Sequence, residues 1–105
     1  MRRFAFMTIA LCVAAAPARA DDDQVLQIKQ AFEPATLSVA AGAHVTFVNA
    51  DDVSHNLQQT DPDGVKADMG VEKPGDTTVM TFAAKGVWLV NCNIHPRMKM
   101  KVTVQ

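Results

Sequence analysis

Between Gln24 and Gln105 the apolar and polar residues alternate in short runs, each broken by turn-forming residues. Alternation with a period of two is the mark of half-buried strands. Gln24 to Phe32 reads as one strand, with Leu26, Ile28 and Gln30 on the core face and Val25, Gln27 and Lys29 opposite. Phe32-Glu33-Pro34 ends it, because proline cannot donate to a ladder. Thr36 to Val39 is a second strand that presents Leu37 and Val39. After the Ala41-Gly42 turn, His44 to Asn49 turns Val45 and Phe47 inward and His44, Thr46 and Val48 outward. Residues 49–54 form a turn-rich loop that leads to His55, and Asp61-Pro62-Asp63-Gly64 is a further turn. Residues 65–73 fit a loop, a short helix or a short strand. Lys73-Pro74-Gly75-Asp76 turns the chain into Thr77 to Ala83, with Thr78, Met80 and Phe82 on one face. Ala84-Lys85-Gly86 precedes Val87 to Cys92, where Trp88, Val90 and Cys92 share a face. In the last strand Met100, Val102 and Val104 alternate with Lys99, Lys101 and Thr103. No convincing amphipathic helix, internal repeat or second domain interrupts the series. About seven strands at this spacing predict an antiparallel β-sandwich or barrel.

The start of the chain follows different rules. Arg2 and Arg3 precede an apolar run from Phe4 to Ala16, and Ala18-Arg19-Ala20 has the form of a cleavage site. This predicts a signal peptide over 1–20, cleaved on export, and a single domain over 21–105. The run is too short to span a bilayer. Cys12 lies within it, after Leu11, and leaves with it rather than accepting a lipid. Loss of Arg2, Arg3 and Arg19 takes Lys+Arg from 10 to 7 against 11 Asp+Glu, a net charge near −4. Such a balance argues against a nucleic-acid partner, which favours a basic face. The exported domain would keep one cysteine, Cys92, and so no internal disulfide. An unpaired thiol in an oxidising compartment needs burial or a metal.

Cys92-Asn93-Ile94-His95-Pro96-Arg97-Met98 supplies a thiolate, an imidazole and a thioether in one short loop. Soft sulfur ligands favour copper and imidazole suits both of its oxidation states. Such a loop covers one side of an ion, so a fourth ligand must come from a distant loop. His55 is the candidate. His44 competes with it but sits on the outward parity of its strand. Met98 competes with Met100 for the weak fourth position, and Met100 shares the core parity of Val102 and Val104. Two His, one Cys and a distant Met form the ligand set of a type 1 copper site. Arg97, Lys99 and Lys101 make a basic strip beside it, either a solvated face or a docking patch for an acidic partner. Two His and one Cys also suit a catalytic zinc, but no general base lies near the motif, and no enzyme is expected.

Phe32-x-Pro34, Gly42-x-x-Val45-x-Phe47-x-Asn49, Ser54-His55-Asn56, Phe82, Gly86 and Cys92-x-x-His95 together resemble the cupredoxins, over nearly all of residues 24–105. Within that family of blue copper proteins, the tight Cys92-x-x-His95-Pro96-x-Met98 loop is amicyanin-like. The resemblance implies a Greek-key β-sandwich of seven to eight strands. It implies His55, Cys92 and His95 as equatorial copper ligands, Met98 as the long axial one, and Asn56 as a hydrogen-bonding bridge between the ligand loops. It further implies a monomer of the periplasm that carries single electrons between transient redox partners. His95 would be the partly exposed electron port, rimmed by Ile94, Pro96 and Met98. The same ligands would also serve copper trafficking or resistance.

Overall fold

The computed structural model describes residues 23–105. The signal peptide expected over 1–20, Cys12 within it, and the acidic start at Asp21 and Asp22 lie outside the described residues. Nine strands follow one another: β1 (Gln24–Ile28), β2 (Ala31–Glu33), β3 (Thr36–Val39), β4 (Ala43–Asn49), β5 (His55–Thr60), β6 (Lys66–Glu72), β7 (Thr77–Phe82), β8 (Gly86–Asn91) and β9 (Lys99–Val104). They form two sheets, ordered β2-β1-β4-β7 and β3-β9-β8-β5-β6. The described residues contain no helix, and the all-β sandwich expected from the alternation is the fold observed.

The core lies between the sheets and is made of the inward residues of both. Val25, Val45, Phe47, Met80 and Phe82 come from one sheet and Leu57, Val90, Met100 and Val102 from the other, each at most 2% exposed. Phe82 meets Trp88 edge to face with ring centroids 5.3 Å apart, an arrangement the ring quadrupoles favour. The Trp88 indole N–H donates to the carbonyl of Ala84, so its polar edge is satisfied.

Three features depart from the alternation or extend it. First, the core face of β1 is Val25 and Gln27, not Leu26 and Ile28, which are half-buried on the outside. The cause is the partner strand. β1 runs parallel to β4, with Val25 beside Phe47 and Gln27 beside Asn49, and those two residues point inward. Gln27 tolerates burial because its amide donates to Glu72 Oε1 at 2.7 Å across the core. Second, the run read as one strand is a hairpin. Lys29 and Gln30 have φ of 51° and 56° and form the two-residue turn between β1 and β2. Such turns favour Asn-Gly, so Lys-Gln gives no signal in sequence. Third, residues 66–72 are a strand, β6, paired antiparallel to β5 at the edge of its sheet. Each sheet also holds one parallel pair, β1 with β4 and β3 with β9, which alternation cannot reveal.

Candidate metal centre

Two loops at one end of the sandwich supply the site. The first joins β4 to β5 and is organised by Asn49, which is 1% exposed. Its side-chain N–H groups donate to the carbonyls of Val53 and Glu72, and its Oδ1 accepts from the Asp51 amide. This pattern seats His55 at the first position of β5, fully buried. The second loop joins β8 to β9. The Cys92 amide donates to the carbonyl of Met98 at 3.1 Å, and the Met98 amide to that of His95 at 2.9 Å. Those bonds close the seven-residue stretch as a tight turn.

The two loops bring three donor atoms together. His55 Nδ1 faces His95 Nδ1 at 3.0 Å, and Cys92 Sγ lies 3.8 Å from each. A point equidistant from three atoms so placed is about 2 Å from every one, the length of a metal–imidazole bond and slightly short of a metal–thiolate bond. Both separations and chemistry therefore fit a single soft-to-borderline ion. Cys92 is the free cysteine among the described residues and is buried. His95 is partly exposed, so the site opens to solvent on its side alone. Ile94 is 52% exposed and Pro96 is exposed beside it, over a cavity of about 220 Å³ lined by Gln30, Ile94, His95, Pro96 and Arg97.

The sequence-derived candidates separate cleanly. His44 is exposed on the outer face of β4, where its Nδ1 meets the Thr81 hydroxyl at 2.8 Å, at the end of the strand away from the loop that carries His55. Asn56 Oδ1 accepts from the amides of Asn93 at 2.6 Å and Ile94 at 3.3 Å and lies 3.6 Å from Cys92 Sγ. It thus ties the two loops together. Met98 and Met100 are 1% and 2% exposed. Burial removes Met98 from the rim expected around His95, which consists of Ile94 and Pro96. Arg97, Lys99 and Lys101 are exposed, as expected for the basic strip.

One residue was missed. Asp51 Oδ2 accepts from His55 Nε2 at 2.8 Å and from the Gln30 amide at 2.8 Å, and Oδ1 accepts from the Lys29 amide at 3.1 Å. Burial pushes this carboxyl up, but the Gln30 amide, His55 and the Lys29 amide together outweigh it and hold the group below its ordinary value. Only an Asp four residues before the His pointed to it in sequence, and that is a weak signal. Glu72, opposite His55 in the β5–β6 register, moves the other way. Burial raises it, against the hydrogen bond from Gln27.

Comparison with known proteins bears on this geometry. Residues 21–105 match the family model for copper binding proteins of the plastocyanin/azurin family. The methylamine utilization protein MauL of Methylorubrum extorquens is 32% identical over 98 residues, which span 93% of this chain and 86% of that protein. MauL of Methylophilus methylotrophus is 33% identical over 75 residues, 70% of this chain, and the chain spans 43% of that longer protein. A solved structure of an amicyanin mutant, in its reduced Cu(I) form at pH 4, superposes with a TM-score of 0.72 at 26% identity, covering 79% of this chain and 81% of amicyanin.

Proposed function

The chain belongs to the plastocyanin/azurin family of copper-binding proteins, and on that premise we propose that His55, Cys92 and His95 would hold its copper, with the Met98 thioether as a fourth, weaker ligand. Copper is the cofactor of this family, and transfer of single electrons its activity. One observation carries the residue assignment: two imidazole nitrogens and a cysteine sulfur converge within 4.8 Å of one another.

When bound, copper would supply the one-electron chemistry, between Cu(II) and Cu(I). The residues make that alternation easy by keeping still. Two ligands are buried in or beside strands, Asn56 pins the ligand loop through two amides, and the Met98–Cys92 backbone bond fixes its width. Ligands that do not move add little reorganisation to electron transfer, and buried apolar surroundings with a weak thioether tune the potential. Electrons would pass through His95, the partly exposed ligand, with Ile94 and Pro96 as a small apolar contact suited to transient encounters. The remaining proposals are a signal peptide over 1–20, a periplasmic location, a monomeric domain over 21–105 and no catalytic role.

The visible spectrum of the Cu(II)-loaded protein tests this reading. Strong absorption that Cys92→Ser abolishes, and that His55→Ala but not His44→Ala removes, is the expected result. A colourless protein that holds only Cu(I) would point to copper trafficking instead. Zinc binding without copper binding would overturn the site altogether.

A further inference from the structure

We propose that Asp51 is a positioning residue for the copper site: its carboxylate holds His55 with the proton on Nε2, turns the bare Nδ1 toward the ion, and favours Cu(II) over Cu(I). The inference rests on the copper reading above and adds a residue that the ligand motif does not contain.

The carboxylate is held from three directions. The amides of Lys29 and Gln30, which the positive-φ turn between β1 and β2 aims at it, take one oxygen each. Successive amides in such a turn form a concavity that suits an anion. The Asp51 main chain is anchored to the buried Asn49. The third partner is His55 Nε2 at 2.8 Å. A carboxylate accepts and cannot donate, so this contact requires the imidazole proton on Nε2. Nδ1 then carries a lone pair, and it is Nδ1 that faces His95 Nδ1 and Cys92 Sγ. A ligating histidine that donates its other N–H to a carboxylate is oriented and made more basic by it. The negative charge behind the ring stabilises the more highly charged ion. Asp51 joins a hairpin of one sheet to a ligand on the other, so the β1–β2 turn becomes part of the frame of the site.

Nitrogen-15 NMR of the metal-free protein reads the tautomer directly and needs no variant. His55 protonated on Nε2 is the expected result, and protonation on Nδ1 would overturn the proposal. In the copper-loaded protein, Asp51→Asn keeps the size of the side chain and removes its charge. Cu(II) affinity should fall about 10–100-fold, with Cu(I) affinity falling less. The potential should then rise, by about 59 mV for each tenfold difference between the two states. Asp52→Asn, at the exposed neighbour, should leave both unchanged. An Asp51→Asn protein with the affinity and potential of the original would overturn the proposal, as would an equal shift from Asp52→Asn, which would mean unspecific charge. Should Asp51→Asn not fold, the tautomer of the original chain still decides. If the original chain takes up no copper, the parent reading fails, and the tautomer remains a separate result.

Discussion

Two carboxyls near His55 have been moved in opposite directions, and each makes stability depend on pH with its own sign. Asp51 is held below its ordinary 3.8, so the folded state favours its charged form. It contributes stability above 3.8, and that contribution is lost as pH falls through the lowered folded value. Glu72 is raised above 4.5, so the folded state favours its neutral form. Below 4.5 it is neutral in both states; as pH rises past 4.5 the unfolded chain ionises first, and stability falls. Gln27 Oε1 and Glu72 Oε2 have no partner among the described residues, and a neutral carboxyl has a proton to donate where a carboxylate has none. Glu72→Gln should therefore remove the loss above pH 4.5, so that its melting temperature, followed from pH 4 to 8, overtakes that of the original chain as pH rises. The methionines divide by role. Met100→Leu conserves volume in the core and should cost under about 1.5 kcal/mol with the copper spectrum unchanged. Met98→Leu should shift the visible bands and raise or lower the potential; identical spectra would remove Met98 from the site.

At the scale of elements, the β1–β2 hairpin has the least expected chemistry. Lys29 and Gln30 both adopt the left-handed region, at φ of 51° and 56°, where residues with a Cβ are strained. Combining Lys29→Asn with Gln30→Gly supplies the residues that this turn geometry prefers and leaves both backbone amides free to hold Asp51. The double substitution should stabilise the protein by about 1 kcal/mol in urea unfolding, with the copper spectrum retained. A loss of stability would mean that the Lys and Gln side chains contribute more than the turn costs. β5 shows the opposite character. Its first three residues, His55, Asn56 and Leu57, are all buried, because the core covers one face and the ligand loop the other. A register irregularity between Leu57 and Gln58 separates this ligand-bearing end from the regular ladder that follows.

For the molecule as a whole, a domain of about 85 residues buries only some 60–65% of its unfolded surface, and it has no disulfide among the described residues. Binding to the folded state alone adds about 2.7 kcal/mol when the free ligand is at a hundred times its dissociation constant. At about 4–8 °C per kcal/mol for a domain of this size, removal of copper should lower the melting temperature by roughly 10–20 °C. Calorimetry of the loaded and metal-free protein measures this. Equal melting temperatures would show that the three donors converge without help and that copper binds too weakly to matter for stability.

The sequence by itself determined the class of fold and named the candidate donors. Alternating residues such as Val45 and Phe47, or Met100, Val102 and Val104, can face only one way in a strand, and a Cys, a His and a Met in one tight loop are chemically specific. It also placed His44 outside, since parity is local. What the sequence left open is whatever depends on a neighbour distant along the chain. Alternation along β1 favoured Leu26 and Ile28, but register beside β4 and the reach of Glu72 put Val25 and Gln27 inside. Nothing in Lys29-Gln30 marks a turn, since closure of that hairpin is settled by β1 pairing with β2 and by Asp51 accepting its two amides. Met98 left the expected rim because it packs into the hydrophobic core. Asp51 itself became legible only when the tertiary structure set it against His55, because an aspartate in a turn-rich loop looks in sequence like any other.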